Sequence, residues 1–226
     1  MRSNSYFPRT LVIALLLLPR ALLAAGVVAA DTATPTATPA NAAPVAVVDT
    51  DPGQLIDTVA QAMLHDLDAH RADYRQNPAK VNALVDRVLL PHFDTDYSAR
   101  LVLGKHWNSA TAEQRQRFVG AFYHSLLNNY GHALLEFTSD RLKVLPYKGD
   151  AAATSATVRT QVRKGDGTIV AVNYSLHRTA RGWMAWDVVI EGISYVKSFR
   201  DDFGTEIDAQ GLDALVARLE KQQGGK

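Results

Sequence analysis

Cysteine is absent from the 226 residues of this chain. Its absence excludes disulfides, thiolate metal sites, a thiol nucleophile and a lipid-modified cysteine at an export site. Stability must then come from an apolar core. Apolar runs are short as well. Leu11 to Leu18 is unbroken, but Pro19 and Arg20 follow it, so neither side reaches the roughly 20 residues of a membrane-spanning helix. Neither sign of charge is in excess, with 24 Lys and Arg against 23 Asp and Glu. Catalytic signatures are missing too: there is no GxSxG elbow, HExxH, Walker loop or GxGxxG. Leu103-Gly104-Lys105 lacks the upstream glycine of a phosphate loop.

What is present begins with an export layout. Arg2 and Arg9 form a basic region ahead of the Leu11–Leu18 run, and small residues follow, with Val28 and Ala30 placed for cleavage before Asp31. That order predicts a signal peptide over residues 1–30 and a periplasmic destination. Its removal takes away Arg2, Arg9 and Arg20 but no acid, leaving 21 basic against 23 acidic residues and a formal charge of −2. A near-neutral mature chain carries no footprint for nucleic acid. Residues 31–50 are rich in Thr, Ala and Pro, a composition that buries too little to order itself and predicts a flexible linker. Residues 51–226 are the right size for one domain.

Within that domain the pattern runs from helices to strands and back to helices. Asp51-Pro52 opens a predicted helix with Ile56, Val59, Met63, Leu67 and Tyr74 at helical spacing. Asn77-Pro78 breaks it and starts a second, which Pro91 ends. A short helix is expected from about Asp94 to Leu103, stopped by Gly104. Thr111-Ala112-Glu113-Gln114 has the layout of a capping box. It predicts the longest helix, to about Glu136. After Ser139 the period changes from 3.6 to 2. Strands are expected at Arg141–Tyr147, around Ala156–Arg163, around Val170–His177 after the turn Gly165-Asp166-Gly167, and at Trp183–Ile190. Gly192 ends the last strand, Ser194 caps a further helix, and a final helix follows Gly211. The fold class is α+β: a helical N-terminal part, a curved antiparallel sheet of about four strands with helices on its apolar face, and C-terminal helices.

Three groups of polar residues invite a chemical reading. Asp66 and His70 are four apart on one helix face, yet two ligands do not make a metal site, and a solvated face is the expectation. Asp94 could act as a base beside Asp96, although capping the helix after Phe93 fits it better. Asp187 could be a base at the end of the fourth strand, where a structural hydrogen-bonding role is favoured.

Two blocks of sequence resemble the MlaC family, the periplasmic carriers of the pathway that maintains outer-membrane lipid asymmetry, also known as toluene-tolerance proteins. The first comprises Phe93-Asp94, Ala99-Arg100-Leu101-Val102-Leu103-Gly104, Trp107 and Glu113-Gln114-Arg115-Gln116-Arg117-Phe118. The second is Asp187-Val188-Val189-Ile190-Glu191-Gly192-Ile193-Ser194 with Ser198-Phe199-Arg200-Asp201-Asp202-Phe203, and Gly211-Leu212-Asp213-Ala214-Leu215 agrees as well. The Thr/Ala/Pro linker departs from the family pattern. The resemblance implies a monomer that uses no cofactor and holds a phospholipid by its acyl chains between sheet and helices. It also implies shuttling between an outer-membrane lipoprotein–porin complex and an inner-membrane ABC lipid transporter complex.

Such a carrier needs more apolar side chains turned inward than a closed core would use. Candidate wall residues are Leu101 and Leu103 from the short helix, and Phe118, Phe122, Leu126 and Tyr130 from the long one. The sheet would supply Val158, Val172, Tyr174, Val188 and Ile190, and the hydroxyls of Tyr97, Tyr130 and Tyr174 would sit near the mouth. By residue type alone, each of these also suits an ordinary core. Two other functions compete: a cone-shaped α+β enzyme using Asp94 or Asp187 as base, and a chaperone with an open apolar groove.

Overall fold

The first helix is set by the two residues that open it. In the computed structural model, which describes residues 51–150, 152–164 and 166–224, the Asp51 carboxylate accepts from the amides of Gly53 and Gln54 (2.6 and 3.2 Å). Pro52 takes the first helical position, where its missing N–H costs nothing. The expected signal peptide and linker, and Gly165 of the β-turn, lie outside the described residues. Helix α1 (Pro52–Gln76) leaves helical geometry at His70 (φ −121°, ψ 15°), and α2 (Pro78–Val88) folds back beside it. Met63, Leu64, Leu67, Val81, Leu84 and Val85 form the core between them.

Asp66 braces the kinked end of α1. Its carboxylate accepts from the Tyr74 hydroxyl and from Arg87 of α2 at 3.0 Å, and the His70 Nδ1 lies 3.2 Å away. Burial, reinforced by that carboxylate, pushes the Tyr74 phenol up to about 12. The Asp66–His70 pair therefore belongs to a helix-to-helix brace.

Helix α3 (Thr95–Leu103) and the single turn α4 (His106–Ser109) lead to α5 (Ala112–Tyr130). The capping box closes as its sequence predicts: the Gln114 amide donates to Thr111 Oγ1 (3.1 Å) and the Thr111 amide to Gln114 Oε1 (2.9 Å). The long helix is shorter than its pattern suggests, because the chain tightens after Tyr130 into a 3-10 turn, Gly131–Glu136. Gly131 is a weak helix former pressed against α2, where a β-carbon would come within 3.1 Å of Asn82 Oδ1. The tighter turn delivers Leu135 into the α1–α2 core.

The sheet is an antiparallel meander of five strands in sequence order, β1 (Leu142–Val144), β2 (Ser155–Arg163), β3 (Ile169–Thr179), β4 (Gly182–Ile190) and β5 (Ile193–Ser194). The expected curved antiparallel sheet is present, and two details sharpen its edges. The first strand stops at Val144, and Pro146 beyond it has no N–H to offer a ladder. Gly192 does not end the sheet: with Glu191 it forms a two-residue turn, φ 50° and 81°, that brings Ile193 opposite Ile190. Backbones with positive φ at both central positions match the twist of a hairpin. A register shift leaves Trp186 unpaired between Ala185 and Asp187, and such a bulge bends its strand.

Ser194 caps α6 (Tyr195–Gln210), accepting from the Lys197 amide at 3.0 Å, and α7 (Leu212–Gly224) follows Gly211. Helix α1 crosses β1 and β2, whereas α3 and α6 lie against β4. Helix α5 packs on α7, α3 and the 3-10 turn, and among the described residues it makes no comparable approach to any strand.

Candidate functional site

Strand alternation sorts the sheet into two faces. The apolar face carries Ala156, Val158, Thr160 and Val162 from β2, opposite Leu176, Tyr174, Val172 and Val170 from β3. Its half nearest the β3–β4 turn is closed: Val158, Leu176, Trp183 and Ala185 pack under Leu55, Ile56 and Val59 of α1. Thr160, Val162 and Val170 beyond it are buried as well, and the cover thins only along β3 and β4. Val172, Tyr174, Val188 and Ile190 are only half-buried. Register places Val144, Thr160, Val172, Ile190 and Ile193 in one row across all five strands, and Ile193 at its outer edge is 50% exposed.

The helices present a matching gradient. Phe118 and Phe122 stack at 5.5 Å on α5, and Phe122 meets Phe199 and Phe203 of α6 edge-on at 5.1 and 5.7 Å. Further along the same seam the phenyls give way to phenols, with Tyr130 and Tyr195 at 6.3 Å. Leu126, Tyr130 and Tyr195 are half-buried. Burial pushes the phenols of Tyr130, Tyr174 and Tyr195 up, with smaller contributions at Tyr130 from Tyr195 and Asp202. Tyr174 thus keeps accessible surface while sitting deep enough in protein to be desolvated.

The residues expected to line a cavity divide into three sets. Leu126, Tyr130, Val172, Tyr174, Val188 and Ile190 are the half-buried ones described above. Leu103, Phe118 and Val158 are closed over, at 1%, 0% and 0% exposure, and Phe122 nearly so. Leu101 is half-buried with its carbonyl accepting from Arg200 Nε at 2.6 Å. Tyr97 lies across the sheet from Tyr174: its ring is 4.4 Å from that of His177, which alternation turns to the opposite face, and 5.7 Å from Trp186. Ile193, at the edge of the apolar row, and Tyr195, beside Tyr130 on the helical seam, were not among the expected residues. For Tyr195 a signal was present, since it precedes Phe199 by one helical turn.

Both candidate carboxylates are committed to structure. Asp94 Oδ1 caps α3 through the Tyr97 amide (3.0 Å), and its Oδ2 meets His177 Nε2 at 2.9 Å. Asp187 is 3% exposed and accepts from the Ser194 hydroxyl (2.6 Å) and the Val196 amide (3.0 Å), tying β4 to the first turn of α6. Replacing Asp187 by Ala should therefore cost about 1–3 kcal/mol by leaving a buried and a part-buried donor unpaired. Urea unfolding measures this, and an unchanged midpoint would reject the capping role. Among the described residues no three His, Asp or Glu side chains are grouped to hold a metal ion.

Residues 57–221 match the family model described as "MlaC protein". The toluene tolerance protein ttg2D of Pseudomonas putida is 32% identical over 163 residues, which is 72% of this chain and 75% of that protein. The MlaC binding protein of the Haemophilus influenzae intermembrane phospholipid transport system is 23% identical over 179 residues, covering 78% and 84%. In structure, the chain resembles a phospholipid-binding protein from Ralstonia solanacearum solved in complex with a phospholipid. The TM-score is 0.72 at 25% identity, over 77% of this chain and 97% of that one.

Proposed function

The chain belongs to the MlaC family, and on that premise we propose that it is a periplasmic carrier that holds a phospholipid by its acyl chains. One observation of the fold carries the reading. On the apolar sheet face, Val172, Tyr174, Val188 and Ile190 of β3 and β4 are left half-buried, and α5 makes no close approach to these strands comparable to its packing on α7. Acyl chains would lie against that face and under Leu126, Tyr130 and Tyr195. Leu103, Phe118, Phe122 and Val158 would form the closed base around the cavity. Tyr97 would have no part in it.

The physics of transfer favours such a design. A diacyl lipid has about 30 methylenes, each worth ~0.8 kcal/mol on leaving apolar surroundings for water, so crossing the periplasm unaided is prohibitive. A cavity nearly as apolar as the bilayer makes transfer at either membrane close to neutral. No catalytic group is needed for this, and Asp94 and Asp187 are already occupied. In this proposal residues 1–30 direct export and 31–50 form a tether-like linker. The mature monomer would exchange lipid with an outer-membrane lipoprotein–porin complex and an inner-membrane ABC transporter complex.

Organic extraction and mass spectrometry of protein purified from the periplasm should recover phospholipid at a fixed ratio to protein. Repeated preparations free of phospholipid would overturn the proposal.

A further inference from the structure

On the sheet face turned away from the apolar layer, β1 and β2 carry cations and no acid. Lys143 stands opposite Gln161, which lies between Arg159 and Arg163, so three exposed basic side chains point the same way from adjacent strands. Nearby carboxylates are engaged elsewhere. Asp51 holds the first amides of α1, and Asp150 and Asp166 accept from the amides of Ala152 (2.8 Å) and Thr168 (2.9 Å). The loop after β1 folds over one end of this face. Pro146, Tyr147, Lys148 and Gly149 enclose with Thr157 and Arg159 a cleft of about 210 Å³.

The loop is held in that shape by two close approaches. A β-carbon at Gly53 would come within 3.1 Å of Tyr147 Cβ, and one at Gly149 would overlap the Tyr147 hydroxyl. A side chain at residue 149 would require the Tyr147 ring to move away. The cleft holds about seven waters' share of liquid volume, enough for one partly hydrated tetrahedral anion and far too little for a diacyl lipid.

The geometry points to an anion site: this cleft binds a single phosphate group between the Arg159 guanidinium and the Lys148 ammonium, with the Thr157 hydroxyl as a further donor. Two cations lining one cleft, with no carboxylate among its lining residues, repel each other, and a bound oxyanion relieves that repulsion. The guanidinium fork matches two phosphate oxygens, and the ammonium supplies a point charge. The phosphate could be free inorganic phosphate or the phosphodiester of a lipid headgroup at a membrane surface. The site lies on the other sheet face from the proposed acyl-chain cavity, so it does not rest on lipid carriage.

The test uses the full-length mature protein at constant ionic strength, in two arms. In the first, inorganic phosphate is titrated while amide NMR shifts are followed. In the second, the protein is sedimented with phosphatidylcholine vesicles with and without phosphatidylglycerol. A free-phosphate site gives saturable shifts at Lys148, Gly149 and Thr157, with binding weakened roughly tenfold or more in Arg159→Gln. A headgroup site gives no response to inorganic phosphate, but co-sedimentation that requires phosphatidylglycerol and is lost in both Arg159→Gln and Lys148→Gln. The proposal is overturned by absence of both responses, by binding that survives both substitutions, or by unsaturable shifts spread equally over Lys143 and Arg163. Both variants alter exposed side chains, so their thermal melts and co-purified phospholipid should match the parent. That keeps failure of this site distinct from failure of lipid carriage.

Discussion

Tryptophan in place of Val172 is expected to empty the protein of phospholipid while leaving it folded. Val172 stands mid-row on the apolar face, between Thr160 and Ile190, and is half-buried. If the space before it is where acyl chains lie, an indole there takes their place. Displacing about four methylenes forfeits ~3 kcal/mol of transfer free energy, a more than hundredfold loss of affinity. Lipid phosphorus per protein after extraction should fall at least about tenfold, with the melting temperature within a few degrees of the parent. Leu126→Trp should act in the same direction from the helical side. The opposite pattern, a collapsed melting temperature with lipid retained in whatever stays folded, would mean that Val172 is packed core. Overpacking a filled interior costs about 1–3 kcal/mol, so the two outcomes are separable.

Why Val172 and Val158 differ was not legible in the sequence. Both are valines on the same face of adjacent strands, and alternation assigns them identically. What separates them is cover: α1 closes over Val158, whereas among the described residues α5 makes no comparable approach to the strands. The distance between a helix and a sheet is a tertiary quantity with no local signature. The same limit explains Tyr97. Helical spacing placed it near Leu101, but the sheet face it meets depends on how α3 docks beside β4, where His177 and Trp186 receive its ring.

Local chemistry was legible wherever a side chain acts within a few residues of itself. The caps by Asp94, Thr111 and Ser194 all form as their spacing predicts, because each is a contact across three residues. The β2–β3 and β3–β4 pairings follow from short turns and alternation. Three boundaries moved. Helix α5 ended early at Gly131, where packing on Asn82 adds to weak propensity. Strand β1 shrank ahead of Pro146, and β5 is too short, at two residues, to show any alternation. The Asp94–His177 pair joins positions 83 residues apart, and no spacing rule reaches that far. Function was legible chiefly through the two family blocks, since apolar faces of this kind read equally as core.

Phe118→Ala should produce the reverse of the Val172→Trp phenotype: large destabilisation with no selective loss of lipid. Phe118 is 0% exposed, stacked on Phe122 and edge-on to Phe203 at 6.2 Å, at the closed end of the α5–α6 seam. Truncation removes a buried ring and leaves a hole that helices fastened at several points are poorly able to collapse. Arg117 and Glu220 join α5 to α7 (2.8 Å), and Arg218 joins Glu206 across α7 and α6 (2.6 Å). Phe-to-Ala substitutions in such settings cost about 3–5 kcal/mol, a large share of the 5–15 kcal/mol that typically holds a domain together. Urea unfolding should show the midpoint falling accordingly, while lipid per folded molecule stays at the parental ratio. A cost below about 1 kcal/mol would mean that the ring already faces open space. A drop in lipid with stability intact would move the cavity to the Phe118 end of the seam, away from Tyr130 and Tyr195. Together the two substitutions would separate a helical seam that holds the protein together from the sheet row proposed to hold acyl chains.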